Sequence, residues 1–533
     1  MDFFALVSFL ALYYLRPQEW FAAFSSLHPI QILSVLAIWA MIKKESYKGL
    51  IKTPLDWMML AYFLWTLIAG FTPRDTLSGI QSVILFYFVG ACSLDTIPRL
   101  KKFIGWWCCF IFIIAGLAVL SQYGFDPLGG NDIVQGSMKG RLILNISVFD
   151  NPNSLAHSII PAVPFFYYLV FWRRITMKIL SLLVLVPLYC IYLTQSKGAF
   201  LCGFATLLAT LTIGRSKIWQ LVIIFLAVGL GYGALYTLPR MNELKSAKGD
   251  PAIQGRIAAF TYGLHLMQNN FFGVGLGAFQ ESFTHSGPVE KIIKVRVIPP
   301  RHVPSGSHGA AIELDAQRIR VVNYRHYTKA THSAYNQNGA ELGYVGLYLF
   351  VGILYCCVRT LLLVKSKNDD EERIRRALFS TVVAYAVSSW MVDFCYRPTF
   401  FMFVAATSAF HRFLILKQEE EPQAQHLQPV AQRFPWLKPI ALPGMALSGA
   451  AATGAEVAAA MAPGIALAST AAVPIPNPAW SGQPLGWEKP KATIEERIRQ
   501  KFTWTRLNIW DFLIIWGLTY AAILYWKHLI VTM

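Results

Sequence analysis

Long apolar runs separated by short polar links set the pattern of this chain. They fall at Phe3–Leu15, Ile30–Ile42, Leu55–Phe71, Leu77–Leu94, Phe103–Tyr123, Leu155–Trp172, Met177–Leu193, Ala199–Ile213, Ile218–Leu238, Gly343–Val364, Leu378–Tyr396, Thr399–Leu416 and Trp510–Trp526. The longer runs suffice to cross a hydrocarbon core of ~30 Å as helices. They are continuous rather than alternating, which excludes the period-two strands of a membrane barrel. The fold class read from this pattern is all-α, a polytopic transmembrane helical bundle of about 12–13 spans with a large outer loop containing amphipathic helices.

The runs divide the chain into unequal parts. Residues 1–238 form a first transmembrane bundle, 239–342 a large loop, 343–416 a second transmembrane group and 509–533 a C-terminal transmembrane helix. Between the last two lies 417–508, opened by Glu419–Glu421 and dominated from Ala441 to Ala479 by Ala, Gly, Pro and Ser. Its prolines at 443, 463, 474, 476 and 478 break any helix, so it reads as a linker.

Composition agrees, with 55% hydrophobic and 14% charged residues and a mean hydropathy of +0.44. Charge then orients the bundle. Lys43, Lys44, Lys48 and Lys52 follow the second run, Arg99, Lys101 and Lys102 the fourth, Arg173, Arg174 and Lys178 the sixth, Arg215 and Lys217 the eighth, and a Lys/Arg cluster from Lys365 to Arg376 the tenth. All fall on one side, which the positive-inside rule makes the cytoplasm. Stretches 124–154 and 239–342 are then outside, and the linker is cytoplasmic. The net charge of +18 follows from these loops. No reading module or basic platform interleaved with aromatics accompanies it, so nucleic acid is excluded as a partner. The eight cysteines fall within or at the ends of spans without metal-ligand spacing, as packing residues do.

Candidate chemistry gathers on the outer side. The loop from Arg240 to Thr331 carries 12 Lys and Arg against 6 Asp and Glu, a field suited to an anionic substrate or simply to a solvated surface. Within it Ile257, Phe260, Leu264, Met267 and Phe271 recur at helical spacing, an amphipathic helix along the membrane surface that Gly255-Arg256 opens. Arg141 precedes a Phe149-Asp150-Asn151-Pro152-Asn153 block, and Ser196-Lys197-Gly198-Ala199 joins two spans. Asn151 suits a helix cap. Gly273, Gly275 and Gly277 permit either tight turns or a phosphate cradle. His332 closes the loop, a titratable imidazole at the mouth of a membrane bundle.

Taken in order, these pieces resemble the O-antigen ligase family of bacterial polytopic glycosyltransferases, which includes O-antigen ligases, polysaccharide polymerases and protein O-oligosaccharyltransferases. The resemblance covers about residues 130–410 and includes the ten-residue interval between His332 and Gly343. Lys197 departs from it, standing where the family usually has arginine; the charge survives but the bidentate fork is lost.

The resemblance implies a metal-independent, inverting transfer of a glycan from undecaprenyl pyrophosphate to an acceptor hydroxyl on the periplasmic face of the bacterial inner membrane. His332 would be catalytic. Arg256, Lys197 and Arg141 would neutralise the pyrophosphate, and Tyr335 and Asn336 would contact substrate. No cofactor is implied. The acceptor would be lipid A core for a ligase or the growing glycan for a polymerase, with a protein acceptor as a third case. A transporter or flippase of lipid-linked sugars is the competing class; it predicts mid-span charges and internal repeats, and this sequence has few of the former and no convincing case of the latter.

Overall fold

The computed structural model describes residues 2–21, 29–69, 73–125, 140–170, 181–237, 251–287, 290–298, 317–325, 328–364, 368–426 and 504–532. Within these residues the apolar runs fall on helix, except that Leu378–Tyr396 leaves the helix after Ser388 and continues as turns to Tyr396. In chain order the helices are α1 (Asp2–Tyr14), α2 (Pro29–Lys44), α3 (Pro54–Ala69), α4 (Pro73–Ser93), α5 (Ile97–Gln122), α6 (Pro152–Ile159) continuing through a 3-10 turn into α7 (Val163–Val170), α8 (Leu185–Leu193), α9 (Lys197–Thr212) and α10 (Lys217–Thr237). The loop contributes α11 (Pro251–Asn269), α12 (Phe279–Ser286) and the strands β1 (Glu290–Ile298) and β2 (Gln317–Arg325). The second group holds α13 (Ala334–Leu363), α14 (Asp369–Ser388) and α15 (Pro398–His426), and α16 (Ile509–Thr532) ends the chain.

Among the described residues, Ile97–Gln122, Ala334–Leu363, Pro398–Leu416 and Ile509–Thr532 are long and apolar enough to cross a membrane, and shorter apolar helices accompany them. The molecule is therefore a polytopic helical membrane protein. Its lipid-facing character is plainest on α10, where Ile218, Phe225 and Leu230 are 75%, 80% and 73% exposed. Water would penalise such a surface, and hydrocarbon does not. The strands add to the helical picture an antiparallel ribbon with Glu290 opposite Arg325 and Ile298 opposite Gln317. The cysteines are free, and all but Cys109 are buried.

Two more boundaries differ from the sequence expectation, and both bear on the site. The loop helix starts at Pro251 rather than at Gly255-Arg256, because proline's fixed φ and missing N–H suit the first helical position. It also packs into the bundle instead of lying on a surface: Phe260, Leu264 and Met267 are buried, whereas Phe271 lies beyond the helix and is 62% exposed. The second boundary is in α13, which begins nine residues before Gly343. Gly343 itself is non-helical inside it, at φ 71° and ψ −171°.

The C-terminal helix is clamped at both ends. Near its start Asp511, fully buried, is ion-paired with Arg359 of α13. It also accepts from Tyr355 Oη at 2.8 Å, from Asn508 N at 2.8 Å and from Trp504 Nε1 at 3.3 Å. Near its end the buried Trp526 packs on Trp390, ring centroids 5.5 Å apart, and on Phe260 of α11 at 6.4 Å. Lys417–Gln500 forms a separate unit, and 427–500 lies outside the described residues.

Candidate active site

The site is assembled from helix ends. Asn151 caps α6 by accepting from Asn153 N at 2.9 Å. The Asn153 side-chain oxygen then accepts from Ser196 Oγ at 2.7 Å and from Arg141 Nη2 at 3.0 Å. Ser196 in turn is the N-cap of α9, and Arg141 Nε donates to the Thr194 carbonyl at 2.9 Å. Arg141 thus braces the turn that carries Lys197.

One turn further along α6, His157 is buried to 2% exposure. Its Nδ1 lies 2.5 Å from Ser388 Oγ. A Cβ built on Gly198 would stand 3.3 Å from His157 Nε2 and 3.2 Å from Met391, so α9 begins in close contact with both. Met391 also receives Arg256, whose Nη1 lies 3.4 Å from its Sδ. Arg256 and the Lys197 end of α9 therefore meet around one methionine and one histidine. Because α11 starts at Pro251, Arg256 sits in its second turn. Its guanidinium, and not the free N–H groups of a helix start, is what it offers an anion.

His332 stands just before α13 in a left-handed conformation, φ 50°, which costs a non-glycine residue roughly 1–2 kcal/mol. Its surroundings impose it. Ser333 caps α13 and donates to the Ser389 carbonyl at 3.2 Å, while Ala334 N donates to the same oxygen at 2.8 Å. Burial pushes the half-buried imidazole down to about 4 and the neighbouring Arg256 charge adds to this; Asp393 opposes it and Lys329 reinforces it. His332 is therefore neutral near pH 7, with a nitrogen able to accept a proton. Lys329 lies over Gly255, where a Cβ would run into its ammonium. Lys329 and Arg256 are thus adjacent beside the histidine.

The other expected contacts are turned inward. Tyr335 donates its hydroxyl to the Ala386 carbonyl at 3.0 Å, and its ring centroid lies 4.8 Å from that of Trp390. Asn336 is fully buried and donates to the Ala259 carbonyl at 3.2 Å. A Cβ at Gly263 would run into its amide. These two residues fasten α13 to α14 and α11, holding the helix that carries Arg256.

The glycine loop has a task that the sequence left open. At Gly343 the helix breaks, and a Cβ there would run into the Phe271 carbonyl. The carbonyls freed by the break are taken up from outside: Val274 N donates to Ala340 O and Gly275 N to Glu341 O, both at 3.0 Å, and Trp65 Nε1 donates to Leu342 O at 2.8 Å. The buried Glu341 carboxylate accepts from Gly277 N at 3.0 Å and Phe279 N at 3.4 Å. These amides are spent on the protein, so the loop is a splint for α13 and not a phosphate cradle.

Sequence reasoning missed Lys329, which it counted only as loop charge, and His157. The signal for His157 was its place four residues after Asn153, which sets both on one helical face.

Apolar helices long enough to cross a membrane, with cations and two imidazoles at helix ends among them, define a class: a polytopic helical membrane protein. Residues 180–351 match the family model described as O-antigen ligase, the family the ordered motifs resemble. The match contains Lys197, Arg256, His332, Tyr335 and Asn336; Arg141 and His157 lie before it. No curated protein matches the chain. Fold and match together point to a membrane glycan-transferring enzyme.

Proposed function

We propose that this protein transfers a glycan from undecaprenyl pyrophosphate to an acceptor hydroxyl on the periplasmic face of the bacterial inner membrane, as an O-antigen ligase or a surface-polysaccharide polymerase. The observation that carries this reading is His332 held in a left-handed turn at the start of α13, with Arg256 and the adjacent Lys329 acting on it. In the step, the acceptor oxygen bonds to the anomeric carbon while the bond from that carbon to the phosphate oxygen breaks. The hydroxyl proton goes to His332, and undecaprenyl pyrophosphate departs with the electron pair. Attack opposite the leaving group inverts the anomeric centre. Arg256, Lys329 and Lys197 stabilise the charge gathering on the pyrophosphate, an electrostatic task strengthened by partial exclusion of water.

A pyrophosphate anion in that position would offset the two cations that depress His332 and raise its basicity as the reaction requires. The lipid chain of the donor suits a site at the end of a lipid-facing bundle.

The test is reconstitution of purified protein with labelled undecaprenyl-pyrophosphate glycan and either lipid A core or a second lipid-linked glycan as acceptor. Covalent transfer to lipid A core supports a ligase, and extension of the second glycan supports a polymerase. Relocation of label across the bilayer without a new glycosidic bond would replace the enzyme by a flippase.

A further inference from the structure

We propose that His157 is a second imidazole of the site, one that hydrogen-bonds the pyrophosphate of the donor. The inference rests on the proposed donor but assigns a residue outside the matched family segment. His157 sits beneath the start of α9, at 2% exposure, and its only hydrogen-bond partner among the described residues is Ser388, on Nδ1. Nε2 has no protein partner there. It faces Gly198, the second residue of α9, and lies within the electrostatic reach of Arg256.

Nε2 points at a helix start that Lys197 opens and beside which Arg256 lies. A neutral imidazole carries one N–H and one lone pair. With the Ser388 hydroxyl donating to Nδ1, the hydrogen lies on Nε2, and the ring presents a donor. A donor next to Arg256 and the first N–H groups of α9 is complementary to a phosphate oxygen. No proton is transferred. His157 holds the anion, and His332 takes the acceptor proton.

Gly198 fits the same account. Any side chain there would fill the gap between Nε2 and the helix start. Ser388 is then a positioning residue that selects the tautomer.

Three substitutions separate this role from a purely structural one. His157→Gln keeps a donor near the Nε2 position and loses the Nδ1 contact. His157→Asn keeps an acceptor for Ser388 and loses the donor, and His157→Phe keeps only volume. Binding of undecaprenyl pyrophosphate to the detergent-solubilised full chain, and KM and kcat for transfer, would be measured for all three. The expected result is binding near wild type for His157→Gln, with His157→Asn and His157→Phe weaker by roughly tenfold or more, the loss of one charge-assisted hydrogen bond. Retained binding in His157→Asn with loss in His157→Gln would overturn the proposal in favour of a packing role through Ser388, as would wild-type binding in all three. If wild type binds the lipid pyrophosphate and transfers glycan while His157→Asn matches it, only this inference fails. If wild type binds no lipid pyrophosphate, the donor assignment fails with it.

Discussion

The Gly277 amide donates to the Glu341 carboxylate at 3.0 Å, joining the glycine loop after α11 to the helix that His332 precedes. With the Phe271 carbonyl seated in the space that a side chain at Gly343 would fill, this contact ties the two segments that frame the site. Gly343→Ala should therefore be strongly destabilising: it forces alanine into a positive-φ, extended conformation essentially restricted to glycine, costing ~1–3 kcal/mol, and drives a Cβ into backbone. The expected outcome is a clear fall in the thermal midpoint of the purified protein together with loss of transfer; an unchanged midpoint would contradict the splint role of the loop.

His332→Ala should abolish transfer while the protein inserts and melts like wild type, since the imidazole is only half-buried and its removal leaves the Ser333 cap of α13 intact. Full activity in that variant, assayed with the labelled donor, would remove the base from the mechanism.

The pH dependence follows from the depressed imidazole. A base must be neutral, so kcat/KM, which reports the free enzyme, should lose its His332 contribution as pH falls through about 4. In the donor complex the pyrophosphate charge favours imidazolium, so the acid limb of kcat should lie at higher pH. On stability the sign is the usual one for a depressed histidine: the folded state resists protonation, so this contribution is lost as pH falls from about 6.5 towards about 4. Coincident limbs for kcat and kcat/KM would speak against an anion bound beside His332.

Arg256→Ala should raise KM for the donor and lower kcat, and Arg256→Lys should recover only part, because an ammonium keeps the charge but not the planar fork. Lys329→Ala should weaken donor binding less, since Arg256 remains. Parallel titrations of undecaprenyl pyrophosphate onto the three variants check the order, which fails if Lys329→Ala is the weaker binder.

Asp511→Ala should be the most damaging change in the C-terminal helix. Arg359, Tyr355, Asn508 and Trp504 all converge on that carboxylate, and stripping one partner from a buried ion pair costs about 3–5 kcal/mol. Replacing both Arg359 and Asp511 by apolar residues of similar volume should restore much of the thermal midpoint. Equal midpoints for Asp511→Ala and wild type would show that α16 is held by its Trp526 end alone.

Much of this protein was legible in one dimension. Uninterrupted apolar length is a local property, and hydrocarbon thickness converts it directly into helices, so the runs became helices, Leu378–Tyr396 only as far as Ser388. Ordered motifs singled out His332, Arg256 and Lys197, and the fold sets Arg256 and Lys329 within electrostatic reach of His332. What the sequence could not display is how backbone groups are satisfied. Gly343 looks like a helix start until the Phe271 carbonyl is seen occupying its side-chain space, and Gly273 to Gly277 look like a phosphate cradle until their amides are found on Ala340, Glu341 and their neighbours. That Tyr335 and Asn336 also fasten helices together was not legible, because their hydrogen-bond partners, Ala386 and Ala259, lie far along the chain. For His157 the sequence offered only its helical spacing from Asn153: its burial and its Ser388 partner exist only once α6, α9 and α14 are packed together. Sequence alone determined the membrane class and the segments that bear the chemistry. Tertiary packing decided which of their polar atoms are already paired and which remain to meet a ligand, because pairing depends on distance in space and not on spacing in the chain.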